Sequence, residues 1–252
     1  MDASLAAELE RVKSLLDRAV WPLSITGIWP KNVTTYTRRK SSFILTYFMF
    51  HLFLELLDLV SVCGNVELMV LNLVETGFLT MAMYRLLIIR FHKTLPKLID
   101  SREKYMVVEN FNNSEELKIY LGHASVVEKF YRWWNVYATG TAFMYYIMPL
   151  PTYLVKRMVN DETAILINPY RIYHFINLSS IPRTAFLYVY QFPIILMVAS
   201  YFTSAVISLA FVTNFCGQIA VLARRIMTMT DDNTDPRHIF HRHTKQHIKI
   251  LM

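Results

Sequence analysis

The amino-acid sequence predicts an all-α polytopic membrane protein with four transmembrane helices and a cytoplasmic N-terminus. The first observation behind this prediction is a stretch of forty residues between Arg183 and Arg224 that contains no Asp, Glu, Lys or Arg. An uncharged apolar run of about 18 residues is long enough to span a bilayer, whereas helices of soluble proteins rarely exceed about 20 residues. The second observation is that basic residues alternate between the two sides of the predicted membrane.

Four apolar stretches have the length of a membrane span. They are residues 42–63, residues 68–89, residues 133–155, and a stretch that starts near Thr184 and runs past Cys216. The Gly64-Asn65 pair is typical of a turn, so we expect the first two spans to form a tight antiparallel hairpin. Cys63 and Cys216 then lie near opposite membrane faces, which excludes a disulfide between them because their Cα atoms would have to come within about 7 Å.

The fourth stretch is longer than a bilayer requires. About 20 helical residues cross the hydrocarbon core, and residues 184–226 number 43. This helix is expected either to tilt strongly or to continue into the cytoplasm by several turns, and the polar residues Gln218, Arg224 and Arg225 favour continuation. The alternative is a break near Gly217 that is followed by a separate amphipathic helix.

The distribution of Lys and Arg predicts the orientation of the chain in the membrane. The N-terminal segment, the stretch from Arg85 to Arg132 and the tail from Arg224 carry seven, nine and six of these residues. The first hairpin turn carries none, and the loop from Lys156 to Arg183 carries four. Because cytoplasmic loops are enriched in Lys and Arg, the three basic segments are predicted to be cytoplasmic. The same bias accounts for the formal net charge of +7 without a nucleic-acid partner.

This topology predicts three regions and one glycosylation site. Residues 1–41 form a cytoplasmic N-terminal segment, residues 42–216 the four-helix transmembrane portion, and residues 217–252 a cytoplasmic extension of helix 4 with the start of helix 5. Three Asn-X-Ser/Thr sequons are present, at Asn32, Asn112 and Asn177. Of these, only Asn177 lies on the predicted outer side, where glycosylation occurs.

Four acidic residues lie in or beside the first predicted hairpin, toward its outer end. They are Glu55, Asp58, Glu67 and Glu75. A charged residue within a span usually faces protein or a water-filled cavity. One interpretation is a polar outer vestibule that concentrates cations. The other is that each acid pairs with a neighbouring helix or lies near the outer headgroups.

The third predicted span mixes small residues with aromatic and Met side chains. Gly140 and Thr141 leave space beside the helix, and Met144 and Tyr145 offer adaptable apolar walls. Such a surface suits a small apolar ligand that binds between helices. Small residues are also enriched where membrane helices pack together, so ordinary helix packing is the alternative.

No motif of a catalytic or nucleotide-binding site is present, and we do not expect an enzyme. The final segment, residues 237–252, carries His238, His241, His243 and His247. The last two are one helical turn apart, but they lack the Glu of a zinc HExxH motif and have basic neighbours that repel a metal ion, so we expect no metal there. We interpret the segment as the start of a cytoplasmic amphipathic helix.

Five stretches of the sequence resemble the insect odorant receptor family. The stretch WPLSITGIWP (21–30) is similar to the family's segment before its first span, and PLPTYLV (149–155) with NPYRIYHFINLSSIPRTAFLYVYQ (168–191) to its outer loop. The stretches NFCGQIAVLARRI (214–226) and HRHTKQHIKIL (241–251) resemble the cytoplasmic extension of helix 4 and the opening of helix 5. Their order agrees with the cytoplasmic N-terminus that the basic residues predict.

The resemblance implies the ligand-binding subunit of an odorant-gated cation channel. The family has seven transmembrane helices, so this chain is expected to be incomplete and to lack the pore helix. The implied partners are a small volatile apolar odorant, an obligate odorant co-receptor in a hetero-tetramer, and the plasma membrane of olfactory sensory neurons. Neither a cofactor nor a nucleic acid is implied.

The resemblance also implies a set of odorant-binding residues within the helix bundle. They come from the second, third and fourth spans and are Leu73, Thr76, Gly77, Tyr137, Gly140, Thr141, Met144, Tyr145, Met197 and Tyr201. The alternatives are a gustatory-type chemoreceptor of the same superfamily and a fragment of a membrane transporter or scaffold. A transporter is expected to show broken helices near the membrane midplane and an internal repeat, and the two predicted hairpins show no repeat.

Overall fold

The computed structural model describes residues 3–159, 166, 168–173 and 181–229, and these residues confirm the all-α prediction. No strand occurs among them, and a short 3₁₀ turn lies at Val108–Asn110. The α-helices are α1 (Ala3–Ala19), α2 (Trp21–Ile25), α3 (Thr35–Ser61), α4 (Val66–Phe91), α5 (Leu95–Tyr105), α6 (Ser114–Ile147), α7 (Pro149–Met158), α8 (Ile181–Gln191) and α9 (Ile194–Met229).

Helix α4 contains the second predicted span, whereas α3 covers the first predicted span except for its last two residues, since α3 ends at Ser61. Thr34 caps α3 through a capping box with Thr37, and the Asn65 side chain accepts a hydrogen bond from the Leu68 amide (3.2 Å) at the start of α4. Gly64 has a φ of +103°, a conformation that suits glycine best. The Gly64-Asn65 pair is therefore the turn of the predicted hairpin, and α3 and α4 pack against each other.

Three stretches are long and apolar enough to cross a membrane: Thr35–Ser61, Val66–Phe91 and Pro182–Thr228. The third predicted span, residues 133–155, is not among them. Its residues belong to α6, which begins as early as Ser114, and to α7, which starts at Pro149 after a break at Met148. The Tyr, Trp, Thr and Gly residues of this region lower its hydropathy, and two prolines remove backbone donors at the break. A fourth span stays a prediction.

The fourth predicted span is two helices in the structure. Helix α8 ends at Gln191, a turn covers Phe192 and Pro193, and α9 starts at Ile194. The prediction of one continuous helix from about residue 184 was therefore wrong. The helix is interrupted at Pro193, because proline has no backbone N–H to donate. Helix α9 then runs unbroken through Gly217 to Met229, so the alternative of a break at Gly217 is also wrong.

Contacts divide the chain into two compact units. Unit 1 comprises Met1–Ala19, Lys93–Tyr131 and Val206–Met252, and unit 2 comprises Val20–His92 and Arg132–Ala205. The core of unit 1 contains apolar residues of α1, α6 and α9 together with the segment between α5 and α6. The division predicted from the sequence, at residues 41 and 216, refers to the membrane and stays a prediction.

In unit 2, the segment before α3 folds back on itself. The Leu23 carbonyl accepts hydrogen bonds from the amides of Ile28 (2.9 Å) and Trp29 (3.0 Å). Leu23 and Ile28 are fully buried. Gly27 has a φ of +72°, and a Cβ atom at this position would lie 2.7 Å from the Thr37 carbonyl oxygen. A glycine is therefore required where this segment approaches α3.

Candidate functional site in unit 2

Polar and aromatic side chains converge in unit 2 between helices that are otherwise apolar. They come from α3, α4, α6, α8 and the segment 168–173, and we call them the polar cluster. Its members are Tyr47, His51, Glu55, Asp58, Asn72, Glu75, Thr76, Tyr145, Tyr170, Arg171, Tyr190 and Gln191.

A short chain of hydrogen bonds links α3 to α4. The Asn72 amide donates to Asp58 Oδ2 (2.8 Å), and Thr76 Oγ1 donates to Asn72 Oδ1 (3.1 Å). Asn72 and Thr76 are one turn apart and buried. Because a buried side-chain amide without partners is costly, these bonds fix the position of α4 relative to α3 near the Gly64-Asn65 turn.

Glu75 joins three parts of the polar cluster. Its carboxylate accepts a hydrogen bond from the Tyr145 hydroxyl on α6 and another from the Arg171 backbone amide (3.2 Å). The Arg171 guanidinium donates to the Leu68 carbonyl oxygen (3.4 Å), also on α4. One carboxylate therefore ties α4 to α6 and to the segment 168–173.

Tyr170 and Gln191 fix that segment to α8. The Tyr170 amide donates to Gln191 Oε1 (3.3 Å), and Gln191 Nε2 donates back to the Tyr170 carbonyl (2.8 Å). The Tyr173 amide donates to the Leu54 carbonyl of α3 (3.1 Å). The main chain of the segment is thus held from two helices, and its Tyr170 ring lies in the cluster.

His51 and Glu55 form a buried pair one turn apart on α3. Both side chains are 1 % exposed, and His51 Nε2 lies 3.4 Å from Glu55 Oε1. Within the described residues, neither ring nitrogen and neither carboxylate oxygen has a hydrogen-bond partner. The rings of Tyr47, Tyr190 and Tyr170 lie 6.3, 5.8 and 6.4 Å from the His51 ring. This pair is the part of the cluster whose polar groups are least satisfied.

The structure brings together only some of the ten odorant-binding residues that the resemblance implies. Thr76 and Tyr145 belong to the polar cluster, and the Tyr145 ring packs against that of Tyr170 (5.6 Å). Tyr201 contacts Phe78 (5.1 Å), with the Arg85 guanidinium over its ring (4.9 Å).

The other predicted odorant-binding residues lie elsewhere in unit 2. Met197 is buried, whereas six of the residues are exposed: Leu73, Gly77, Tyr137, Gly140, Thr141 and Met144. On each helix the predicted residues are three or four positions apart and therefore share one face of that helix. The assignment of these ten residues to one odorant-binding site stays a prediction.

Two of the four acidic residues at the first hairpin accept hydrogen bonds, Asp58 from Asn72 and Glu75 from Tyr145 and Arg171. Glu55 lies 3.4 Å from His51 but accepts no hydrogen bond within the described residues. Glu67 is exposed in the first turn of α4, where the helix dipole favours a negative charge. These contacts favour paired acids over an open vestibule.

Unit 1 holds a separate polar network and a small cavity. Arg225 binds Glu116 (2.6 Å) and Tyr120 donates to Asn214 (2.6 Å). Burial raises the pKa of Glu116, but hydrogen bonds from Arg225 and Asn112 outweigh it, so the pKa is lowered overall. A cavity of about 10 Å³ beside Arg102 is lined by residues of this unit alone and by none of the ten predicted odorant-binding residues.

Seven members of the cluster were not singled out from the sequence: Tyr47, His51, Asn72, Tyr170, Arg171, Tyr190 and Gln191. A signal was available for His51, since it stands four residues before Glu55 in a predicted span. The contacts of Tyr170 and Gln191 join distant segments and have no local signal. The glycosylation prediction at Asn177 and the histidines of residues 237–252 lie outside the described residues.

Comparison of the chain with protein-family models, with curated proteins and with solved structures finds no match.

Proposed function

We propose that the chain is the ligand-binding part of an insect odorant receptor, a subunit of an odorant-gated cation channel in the plasma membrane of olfactory neurons. In this proposal α6 with α7 supplies a further span, the N-terminus is cytoplasmic, and an odorant co-receptor completes a hetero-tetramer. The resemblance of the five sequence stretches and the positive-inside bias support it. The three apolar helical stretches are compatible with a multi-pass membrane protein.

The observation that carries the proposal is the hydrogen bond between Tyr145 and Glu75. Tyr145 is an odorant-binding residue that the resemblance implies, and Glu75 adjoins Thr76, which is another. Polar groups inside apolar helices are costly and usually mark functional sites in membrane proteins. The cluster joins α3, α4, α6 and α8, so a ligand that enters it contacts several helices at once.

The proposed mechanism is a shift between two conformations. A ligand that displaces the Tyr145 hydroxyl from Glu75 breaks a hydrogen bond between α6 and α4. If the ligand binds the loosened arrangement more tightly, its binding energy shifts the population toward that arrangement. A tenfold preference of the ligand for one arrangement corresponds to about 1.4 kcal/mol.

The test is a pair of variants in a receptor that carries all seven helices and is expressed with the co-receptor. We expect Tyr145→Ala to shift odorant potency at least about tenfold, with surface expression retained. Tyr145→Phe keeps the ring and removes the bond to Glu75, so it separates packing from hydrogen bonding. The matched control is Tyr84→Ala, because Tyr84 is an exposed tyrosine of α4 outside the predicted set. Unchanged dose–response curves for Tyr145→Ala would remove this residue from the site.

A transporter fragment is the second candidate, and one observation favours it. The chain breaks between α8 and α9 at Pro193 and between α6 and α7 at Met148, and transporters often place their substrates at interrupted helices. Uptake of a substrate into vesicles without an odorant-evoked current would support this candidate over the receptor.

A further inference from the structure

We propose that the His51–Glu55 pair and the tyrosine rings around it bind a small primary ammonium ion, such as a protonated alkylamine. The inference rests on the proposed function for its place in a receptor. It narrows the expected ligand from an apolar odorant to a volatile amine that is bound in its protonated form.

The polar atoms of His51 and Glu55 lack hydrogen-bond partners. A buried carboxylate without partners is costly, and both oxygens of Glu55 lack hydrogen bonds in the described part of the chain. The Nε2–Oε1 separation of 3.4 Å is longer than the 2.7–2.9 Å of a charge-assisted hydrogen bond. The side chains of His51 and Glu55 can therefore still form hydrogen bonds with a third group.

The ionisable side chains near the pair are mainly acidic. Glu75 and Asp58 are close enough to Glu55 to interact with it electrostatically. The nearby cationic side chain, Arg171, directs its guanidinium to the Leu68 carbonyl oxygen (3.4 Å). Three carboxyl groups near one another disfavour a bound anion, and a bound cation favours their charged form.

Tyrosine rings surround the His51 side chain. Tyr47, Tyr170 and Tyr190 place their rings around His51, between 5.8 and 6.4 Å from its ring centre. Rings of this kind attract organic ammonium ions through their negative faces. A carboxylate that accepts N–H bonds, together with rings that cover the alkyl group, matches a primary alkylammonium.

The burial of the pair guides the choice of probe. His51 and Glu55 are almost completely shielded from solvent. Methylammonium is the smallest primary alkylammonium ion, so its binding requires the least displacement of these side chains.

The experiment measures binding to the chain itself, reconstituted in lipid nanodiscs. Saturation-transfer NMR with methylammonium chloride reports weak binding directly, and methanol is the neutral probe of the same size. We expect saturation transfer to methylammonium and none to methanol. Sodium chloride at equal ionic strength is expected not to displace methylammonium.

Two acid variants and two Tyr170 variants locate the site. We expect Glu55→Gln to weaken methylammonium binding at least about tenfold. Glu67→Gln, at an exposed acid of α4, is expected to leave binding unchanged. Tyr170→Leu removes a ring face and is expected to weaken binding several-fold, whereas Tyr170→Phe retains it. Circular dichroism confirms that each variant is folded.

The outcomes separate this inference from the proposed function. Equal transfer to methanol, displacement by sodium, or equal binding by Glu55→Gln and Glu67→Gln overturns the ammonium site. Specific binding of methylammonium without odorant-evoked currents in the seven-helix receptor upholds the site and contradicts the receptor. Odorant-evoked currents without methylammonium binding contradict the ammonium site alone.

Discussion

The buried acidic residues of unit 1 and unit 2 differ in how completely they are hydrogen-bonded. In unit 1, Glu116 accepts hydrogen bonds from Arg225 and from the Asn112 amide (2.9 Å), so its carboxylate is fully engaged. In unit 2, the oxygens of Glu55 accept no hydrogen bond of normal geometry within the described residues, and His51 Nε2 lies 3.4 Å from Oε1. Charged groups that are satisfied contribute to stability, whereas unsatisfied ones reduce it. The comparison therefore assigns a structural role to the first pair and a binding role to the second.

The largest effect is expected at Arg225. Arg225→Ala leaves Glu116 buried without its cation, and breaking a buried pair in this way costs about 3 kcal/mol of unfolding free energy. Chemical denaturation in detergent, followed by circular dichroism, measures the loss. The matched control is Arg224→Ala, because Arg224 pairs with the exposed Glu115. An exposed pair contributes about 0–1 kcal/mol, and equal losses for the two variants would contradict the assigned role.

A smaller loss is expected at Gly217 in α9. A Cβ atom at this position would lie 2.8 Å from the Tyr120 ring, which is buried and bonded to Asn214. Gly217→Ala is expected to cost about 2 kcal/mol through overpacking. Gly122→Ala in α6 is the control, since no atom lies within 4 Å of its Cβ position. Alanine there is expected to stabilise the helix by up to about 1 kcal/mol. A neutral Gly217→Ala would show that Tyr120 can move aside.

The pH dependence of unit 1 follows from Glu116. Hydrogen bonds from Arg225 and Asn112 lower the pKa of this carboxyl in the folded chain below its usual value of 4.5, despite the opposing effect of burial. Its contribution to stability is therefore present above pH 4.5 and is lost as the pH falls through the folded-state pKa. Denaturation midpoints at a series of acidic pH values measure this loss. Glu116→Gln is expected to flatten the curve in that range, and an unchanged slope would exclude Glu116 as its source.

The sequence predicts the helices better than it predicts the site. Apolar runs and the Gly64-Asn65 turn indicate α3, α4 and their hairpin, because these signals are local. The breaks at Met148 and Pro193 are harder to predict, since membrane helices tolerate proline when neighbouring groups satisfy the freed carbonyls. The polar cluster depends on contacts such as Tyr145 with Glu75, which are 70 residues apart. No local pattern encodes a contact of that kind.

The most direct test of the comparison is the unfolding free energy of Glu55→Gln measured beside that of Glu116→Gln. Each substitution replaces a buried carboxyl group by an amide and preserves the shape of the side chain. The account predicts that Glu116→Gln destabilises the chain by at least about 1.5 kcal/mol, since hydrogen bonds to charged groups are worth that much. It predicts that Glu55→Gln leaves stability unchanged or raises it. A loss at Glu55→Gln as large as that at Glu116→Gln would show that the His51–Glu55 pair is structural, and would contradict the account.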